Sequence, residues 1–146
     1  MTASGQPEFP FADWHTIVDR LAVMATICDT RAWSRLPEVM AVDVEAYGHH
    51  GIDAVRDDNL RQFLGGCGPS QHLIANHRIA VDGTLATSAC EARVFHQGAG
   101  ERADLTWECF GTYRDSWMRT ADGWRMTERV FDVRAMVGDF SVLQPG

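Results

Sequence analysis

The segment EARVFHQ, Glu91 to Gln97, closes an alternating apolar run on a histidine rather than on another apolar residue. Imidazole is the side chain whose ordinary pKa allows proton transfer near neutral pH, so His96 raises the question of which other groups could act with it. Counting in twos puts Ala86, Ser88, Cys90, Ala92, Val94 and His96 on one face of this run. That face is small and mostly apolar, and it leaves space beside the sheet, as a cavity wall does. The other face carries Glu91 and Arg93, whose charges need water. Asp29, in ICDTRAW, follows Cys28 on a face marked as buried. A carboxylate there needs a hydrogen-bonding partner, or it caps the helix that follows. His72, in SQHLIAN, opens another alternating run. Simple alternation groups it with Ile74 and Asn76, opposite Leu73, Ala75, His77, Ile79 and Val81, and gives His77 a structural role.

The elements that must position these groups follow from periodicity. Residues 1–10, with two prolines, a glycine and small polar residues, read as a flexible arm. Ile17, Leu21, Met24 and Cys28 recur at three- and four-residue spacing, predicting an amphipathic helix from about Trp14 to Asp29. A shorter helix carries Trp33, Leu36, Val39 and Met40. Val42 to Tyr47 alternates like a strand, GHHG turns the chain, and IDAVRDDNLRQFL supplies a third helix. After GGCGPS come long alternating runs at about 70–81, 84–97, 102–119 and 124–135. Asp82–Gly83 and Asp122–Gly123 are hairpin signals, so the last half is an antiparallel meander. Helices first and a long sheet after predicts an α+β fold, with the helices covering the concave face of a strongly curved, mostly antiparallel sheet. Such a sheet leaves a cone with an interior. In the run from Ala103 to Trp117, pattern alone leaves open whether the side of Leu105, Trp107, Cys109, Gly111, Tyr113 and Trp117 or that of Thr106, Glu108, Phe110, Thr112 and Arg114 lines it.

Composition narrows the partners. The 146 residues suit one domain, and no apolar run approaches the roughly 18 residues of a membrane span. The start has neither the basic nor the apolar part of a secretory signal, so a cytoplasmic location is expected. Net charge is −7 with scattered acidic residues, which argues against a nucleic-acid partner. All 13 basic side chains are Arg, leaving no lysine amine for a Schiff base. Cys28, Cys67, Cys90 and Cys109 form no C-x-x-C pair, which excludes a zinc knuckle or thioredoxin-type motif and reads as free thiols in a reducing compartment.

Taken with their surroundings, Asp29 in CDTRAWSRL, His72 in SQHLIAN and His96 in RVFHQ make the chain resemble a SnoaL-like member of the nuclear transport factor 2 superfamily. Within it, the likeness is to scytalone dehydratase and hexachlorocyclohexane dehydrochlorinase, from about Trp14 to Val133. The resemblance implies a cone-shaped α+β barrel as a single domain over residues 11–135, with residues 136–146 as a tail. Met136, Val137, Phe140 and Val142 make that tail apolar enough to be a lid. It also implies a catalytic set of Asp29, His72 and His96. Asn76 matches a position often held by Asn in the family. Where scytalone dehydratase has a tyrosine before its Asp, this chain has Cys28. Its second tyrosine lies near Tyr47, one position out of step, and its hydroxyl and amide pair falls near Thr112 and Arg114, so the amide is missing. Tyr47, Asn76, Cys90, Thr112 and Arg114 are the expected substrate-binding residues, Cys90 because it shares the face of His96.

The chemistry implied is cofactor-free. An Asp bonded to His fixes the imidazole tautomer and raises its basicity, which suits proton abstraction from carbon beside a carbonyl. His72 is then the general base or acid, and His96 stabilises or protonates the oxygen that leaves or gains charge. Dehydration, dehydrative cyclisation or double-bond isomerisation of a cyclic or polyketide-like carbonyl compound fits, with neither metal nor cofactor required. Two alternatives stand beside it. Two His and a carboxylate can form an open iron triad, or the cone can be an apolar-ligand receptor or subunit-association module without chemistry. His49 and His50 are expected in solvent. Trp107, Trp117 and Trp124 are expected to pack on the sheet or at a subunit interface. The family commonly associates through the outer sheet face, so a homodimer or homotrimer is expected.

Overall fold

A computed structural model describes residues 8–146; most of the expected N-terminal arm lies outside them. Helix α1, Phe11–Thr30, buries Ile17, Leu21, Met24, Ile27 and Cys28. This is the stripe the spacing predicted, and each large apolar side chain so buried contributes about 1.5–3 kcal/mol. The helix stops where Arg31 enters the left-handed region, φ 57°, and its amide turns back to the Cys28 carbonyl. The Arg31 guanidinium then donates to Ser70 Oγ and to the Gly68 carbonyl, both at 2.8 Å. These bonds tie the end of α1 to the strand that starts at Ser70. The second expected helix is a 3₁₀ segment, Trp33–Glu38, interrupted by Pro37.

Strand β1, Met40–Ala46, ends at a tight turn of Tyr47, φ 54°, and Gly48, φ 80°. His49–His50 is therefore a short strand, β2, paired back on Glu45 and Ala46, rather than part of the turn. The third expected helix is a continuous helical segment: α2 at Ile52–Ala54, a π-helical stretch at Val55–Leu60, and α3 at Arg61–Leu64. The meander follows as β3 Ser70–Asp82, β4 Leu85–Gln97, β5 Thr106–Thr120 and β6 Gly123–Gly138. β6 continues three residues past the expected domain boundary at 135, so Met136 and Val137 are exposed strand residues and only the chain after Gly138 turns back.

The six strands form one curved, unclosed sheet in the order β2-β1-β6-β5-β4-β3, antiparallel except for β1 beside β6. With α1 packed on it, this is a cone-shaped α+β barrel. The interior side of β5 is that of Trp107, Cys109, Tyr113, Asp115 and Trp117, all buried. Register aligns Ser70, His96 and Trp107 in one row across β3, β4 and β5, with His72, Val94 and Cys109 in the next. In β3, a bulge between Ala75 and Arg78 places Asn76 at φ 57°. The extra residue reverses the alternation, so His77, Ile79 and Val81 follow Ser70, His72 and Ile74 as the more buried positions of the strand. This corrects the opposite placement of His77. Asparagine, with its tolerance of the left-handed region, is suited to the bulge.

Candidate active site

Asp29 sits on the last turn of α1, brought to the start of β3 by the Arg31 contacts. Its Oδ1 accepts from His72 Nδ1 at 2.6 Å and from Ser70 Oγ at 3.0 Å, and its Oδ2 accepts the His72 backbone N–H at 2.9 Å. Burial by itself would raise the Asp29 carboxyl, but the His72 and Ser70 hydrogen bonds hold it below the usual carboxylate range. Because Asp29 is not a cap of the following 3₁₀ segment, which has no side-chain cap, the capping alternative falls away. A carboxylate accepting from Nδ1 leaves His72 Nε2 as the free nitrogen of that ring.

The His96 ring lies 6.1 Å from that of His72, edge to face. Its Nδ1 is 3.1 Å from the Trp107 carbonyl oxygen. A carbonyl only accepts, so Nδ1 carries the hydrogen and the neutral ring presents a lone pair at Nε2. Burial pushes the His96 pKa down to about 4, and the nearby His72 and Arg31 act in the same direction. At neutral pH His96 is thus an acceptor with no Nε2 proton to give.

Both rings face a cavity of about 230 Å³ between the helical segment and the sheet. Its wall is mainly apolar: Leu60, Phe63, Leu64, Val94, Phe131, Val133, Phe140 and Leu143. Trp107, expected to be packing or interface, lines the cavity beside His96 and meets Phe140 edge on at 5.2 Å. Tyr47 and Tyr113 also line it. Burial raises Tyr47 to about 12 and Tyr113 well above 10, so both phenols keep their protons and can donate. Tyr47 reaches the cavity because it occupies the left-handed turn after β1, a conformation uncommon for a bulky residue. Phe131 stacks on Tyr113 at 4.3 Å on one side, and the Arg129 guanidinium lies 3.9 Å from the Tyr113 ring. Arg129 is paired with Asp115 through two hydrogen bonds of 2.7 and 2.9 Å, both side chains being almost fully buried. Trp117 Nε1 donates to Ser88 Oγ at 2.8 Å beside that pair.

The other expected substrate contacts are not brought to this cavity. Thr112 and Arg114 alternate with Tyr113 onto the opposite side of β5, where Thr112 bonds Glu91 and Arg134. They share an outer groove with Asn76, which the bulge turns outward. Cys90 is inward but packed in the core, 2% exposed and outside the cavity lining, with burial raising its thiol to about 11. Cys28 does line the cavity, its thiol raised to about 12 by burial. The Asp29 carboxylate engages His72 rather than converging with it on a third point, and among the described residues no group of three or more His, Cys, Asp and Glu side chains could hold a metal ion. Asn59, Trp107 and Tyr113 line the cavity but were not distinguished as site residues by pattern. Register against His96 was the only signal that could have found Trp107.

The fold and this cavity define a cone-shaped α+β barrel protein with an interior pocket. Residues 11–130 match the family model of the SnoaL-like domain, and the chain belongs to that family. No curated protein sequence matches it. Among solved structures, it is similar to one from Novosphingobium aromaticivorans provisionally named scytalone dehydratase, with 18% identity, a TM-score of 0.78, and coverage of 92% of this chain and 93% of that one. A nuclear transport factor 2-like superfamily protein from Salmonella enterica serovar Typhimurium gives 14% identity, a TM-score of 0.76, and coverage of 87% and 94%. A type 2 hexachlorocyclohexane dehydrochlorinase gives 14% identity, 0.73, 88% and 89%. No helix among the described residues is long and apolar enough to cross a membrane.

Proposed function

We propose that this protein is a cofactor-independent lyase or isomerase acting on a small cyclic or polyketide-like carbonyl compound, with dehydration the favoured reaction. The observation that carries the reading is the Asp29–His72 pair at the wall of a largely apolar cavity. The names of two structural neighbours, a scytalone dehydratase and a dehydrochlorinase, agree with an elimination.

In this reading, Tyr47 and Tyr113 donate to the substrate carbonyl and acidify the adjacent C–H. His72 Nε2 takes that proton while Asp29 stabilises the resulting imidazolium. Collapse of the enolate breaks the C–O bond at the β-carbon, and His72 returns its proton to the departing hydroxide, releasing water. His96 accepts a hydrogen bond from the substrate hydroxyl at Nε2 and orients it; its tautomer and depressed pKa suit an acceptor better than the proton donor expected from sequence. A general base of this kind contributes about 10²–10⁴-fold to rate.

The experiment uses β-hydroxy cyclic ketones such as 3-hydroxycyclohexanone, followed by growth of enone absorbance and by exchange of α-hydrogen in deuterated water. The expected result is exchange and elimination by the native protein and loss of both in His72→Ala. Exchange that survives His72→Ala, or none in the native protein, overturns the reading. A receptor without chemistry would instead show affinity changes alone.

A further inference from the structure

We propose that Asn59 is a substrate-positioning residue that binds a second oxygen function of the ligand, at the end remote from His72. The inference rests on the cavity of the proposed active site and deepens it by specifying a ligand with polar groups at two ends. Asn59 lies in the π-helical stretch Val55–Leu60 and lines the cavity. Its wall neighbours on the same helical segment are Leu60, Phe63 and Leu64, all apolar. Among the described residues nothing hydrogen-bonds its side-chain amide, which is part-buried at the cavity and loses water when a ligand fills it, whereas the other polar groups of this stretch are bonded or exposed. Arg56 and Asp57 bond each other, Gln62 reaches the Asp57 carbonyl, and Asp58 is exposed. An amide facing an apolar pocket without a protein partner is costly to desolvate unless a ligand supplies one. A π-helical insertion is itself uncommon, and such insertions occur often at functional sites.

Topology specifies the direction. The segment carrying Asn59 packs beside β1 and β2, at one edge of the sheet, whereas His72 is on β3 at the other edge. The two residues therefore reach the cavity from different edges of the sheet. No Arg lines this cavity and the chain has no Lys, so the wall offers no permanent cation and suits a neutral ligand. An amide donates and accepts, so either a hydroxyl or a carbonyl satisfies Asn59.

The test compares 2-naphthol with 2,6-dihydroxynaphthalene by titration calorimetry, two neutral probes that differ by one hydroxyl at the far end. The native protein is expected to bind the diol about 3–10-fold more tightly, the worth of one hydrogen bond. In Asn59→Leu the preference falls to within about twofold, because the amide that meets the second hydroxyl is gone. Asn59→Ala gives the same loss without added volume, and thermal melts establish that each variant is folded. Equal affinity of the native protein for the two probes, with no binding of either counted as equal, overturns the proposal. So does a preference that persists in either folded variant. Because the readout is binding, failure of the elimination assay with the preference intact would count against the acid–base reading and leave Asn59 in place.

Discussion

Asp29 holds His72 at two points, accepting Nδ1–H at 2.6 Å and the backbone N–H at 2.9 Å on different carboxylate oxygens. One bond sets the ring tautomer, and the other sets where the strand begins. Function and folding therefore separate on substitution. Asp29→Asn keeps an acceptor for one of these donors but removes the charge, so elimination should fall by about 10²-fold or more while stability drops by only about 1 kcal/mol. Asp29→Ala leaves both donors unpaired and should cost about 1–3 kcal/mol in urea unfolding in addition to the activity. Equal stability loss in the two variants would show that the backbone bond carries no weight.

His96 and His77 make the protein acid-sensitive above the carboxylate range. Burial depresses His96 from 6.5 to about 4 and lowers His77 as well, so between those values the unfolded chain binds protons that the folded one does not. Stability is then complete above about pH 6.5 and declines as pH falls toward 4, by an amount on the order of 3 kcal/mol for His96. Asp29, with its lowered pKa, adds a further loss at still lower pH. Unfolding free energies measured from pH 7.5 to 4.5 should show this slope. His96→Phe should reduce it and leave the His77 part, and an unchanged slope would remove His96 as its source.

The Arg129–Asp115 pair is the most deeply buried charge pair among the described residues, with side-chain exposures of 4% and 0%. Removing one partner strands the other charge in the core. Asp115→Ala should destabilise by about 3–5 kcal/mol and lower Tm by roughly 10 °C. The cation beside Tyr113 would also lose its anchor. A melt within 2–3 °C of the native value, on the order of 1 kcal/mol, would show that solvent or another group replaces Asp115.

Asn76 tests the bulge. At φ 57°, Asn76→Gly should be tolerated to within about 1 kcal/mol, and Asn76→Val should cost about 1–3 kcal/mol because a β-branched residue is strained there. Deleting residue 76 would remove the bulge and leave His77, Ile79 and Val81 inward in simple alternation, with cooperative unfolding retained as the expected readout. A deletion variant that loses cooperative unfolding would contradict the register.

Periodicity in the sequence was enough for the order of elements, the buried stripe of α1, both D-G hairpins and the inward face of β4, because each depends on neighbours a few residues apart. The types at Asp29, His72 and His96 were also legible, since a carboxylate or imidazole on an apolar face needs an explanation wherever the chain goes. What tertiary structure decided was pairing and side. One extra residue at Asn76 reversed the face of everything after it in β3, and no count in twos detects a bulge. The register of β4 on β5 set the Trp107 carbonyl against His96 Nδ1 and so determined which nitrogen is free. The same alternation that brought Tyr113 inward carried Thr112 and Arg114 out of the cavity. Asn59 reads as an ordinary polar helix residue until the π-helical stretch and the far edge of the sheet turn it toward the cavity that His72 faces. Local spacing determines which face a residue takes within its own element; only long-range packing, which closes the cone, determines what that face meets.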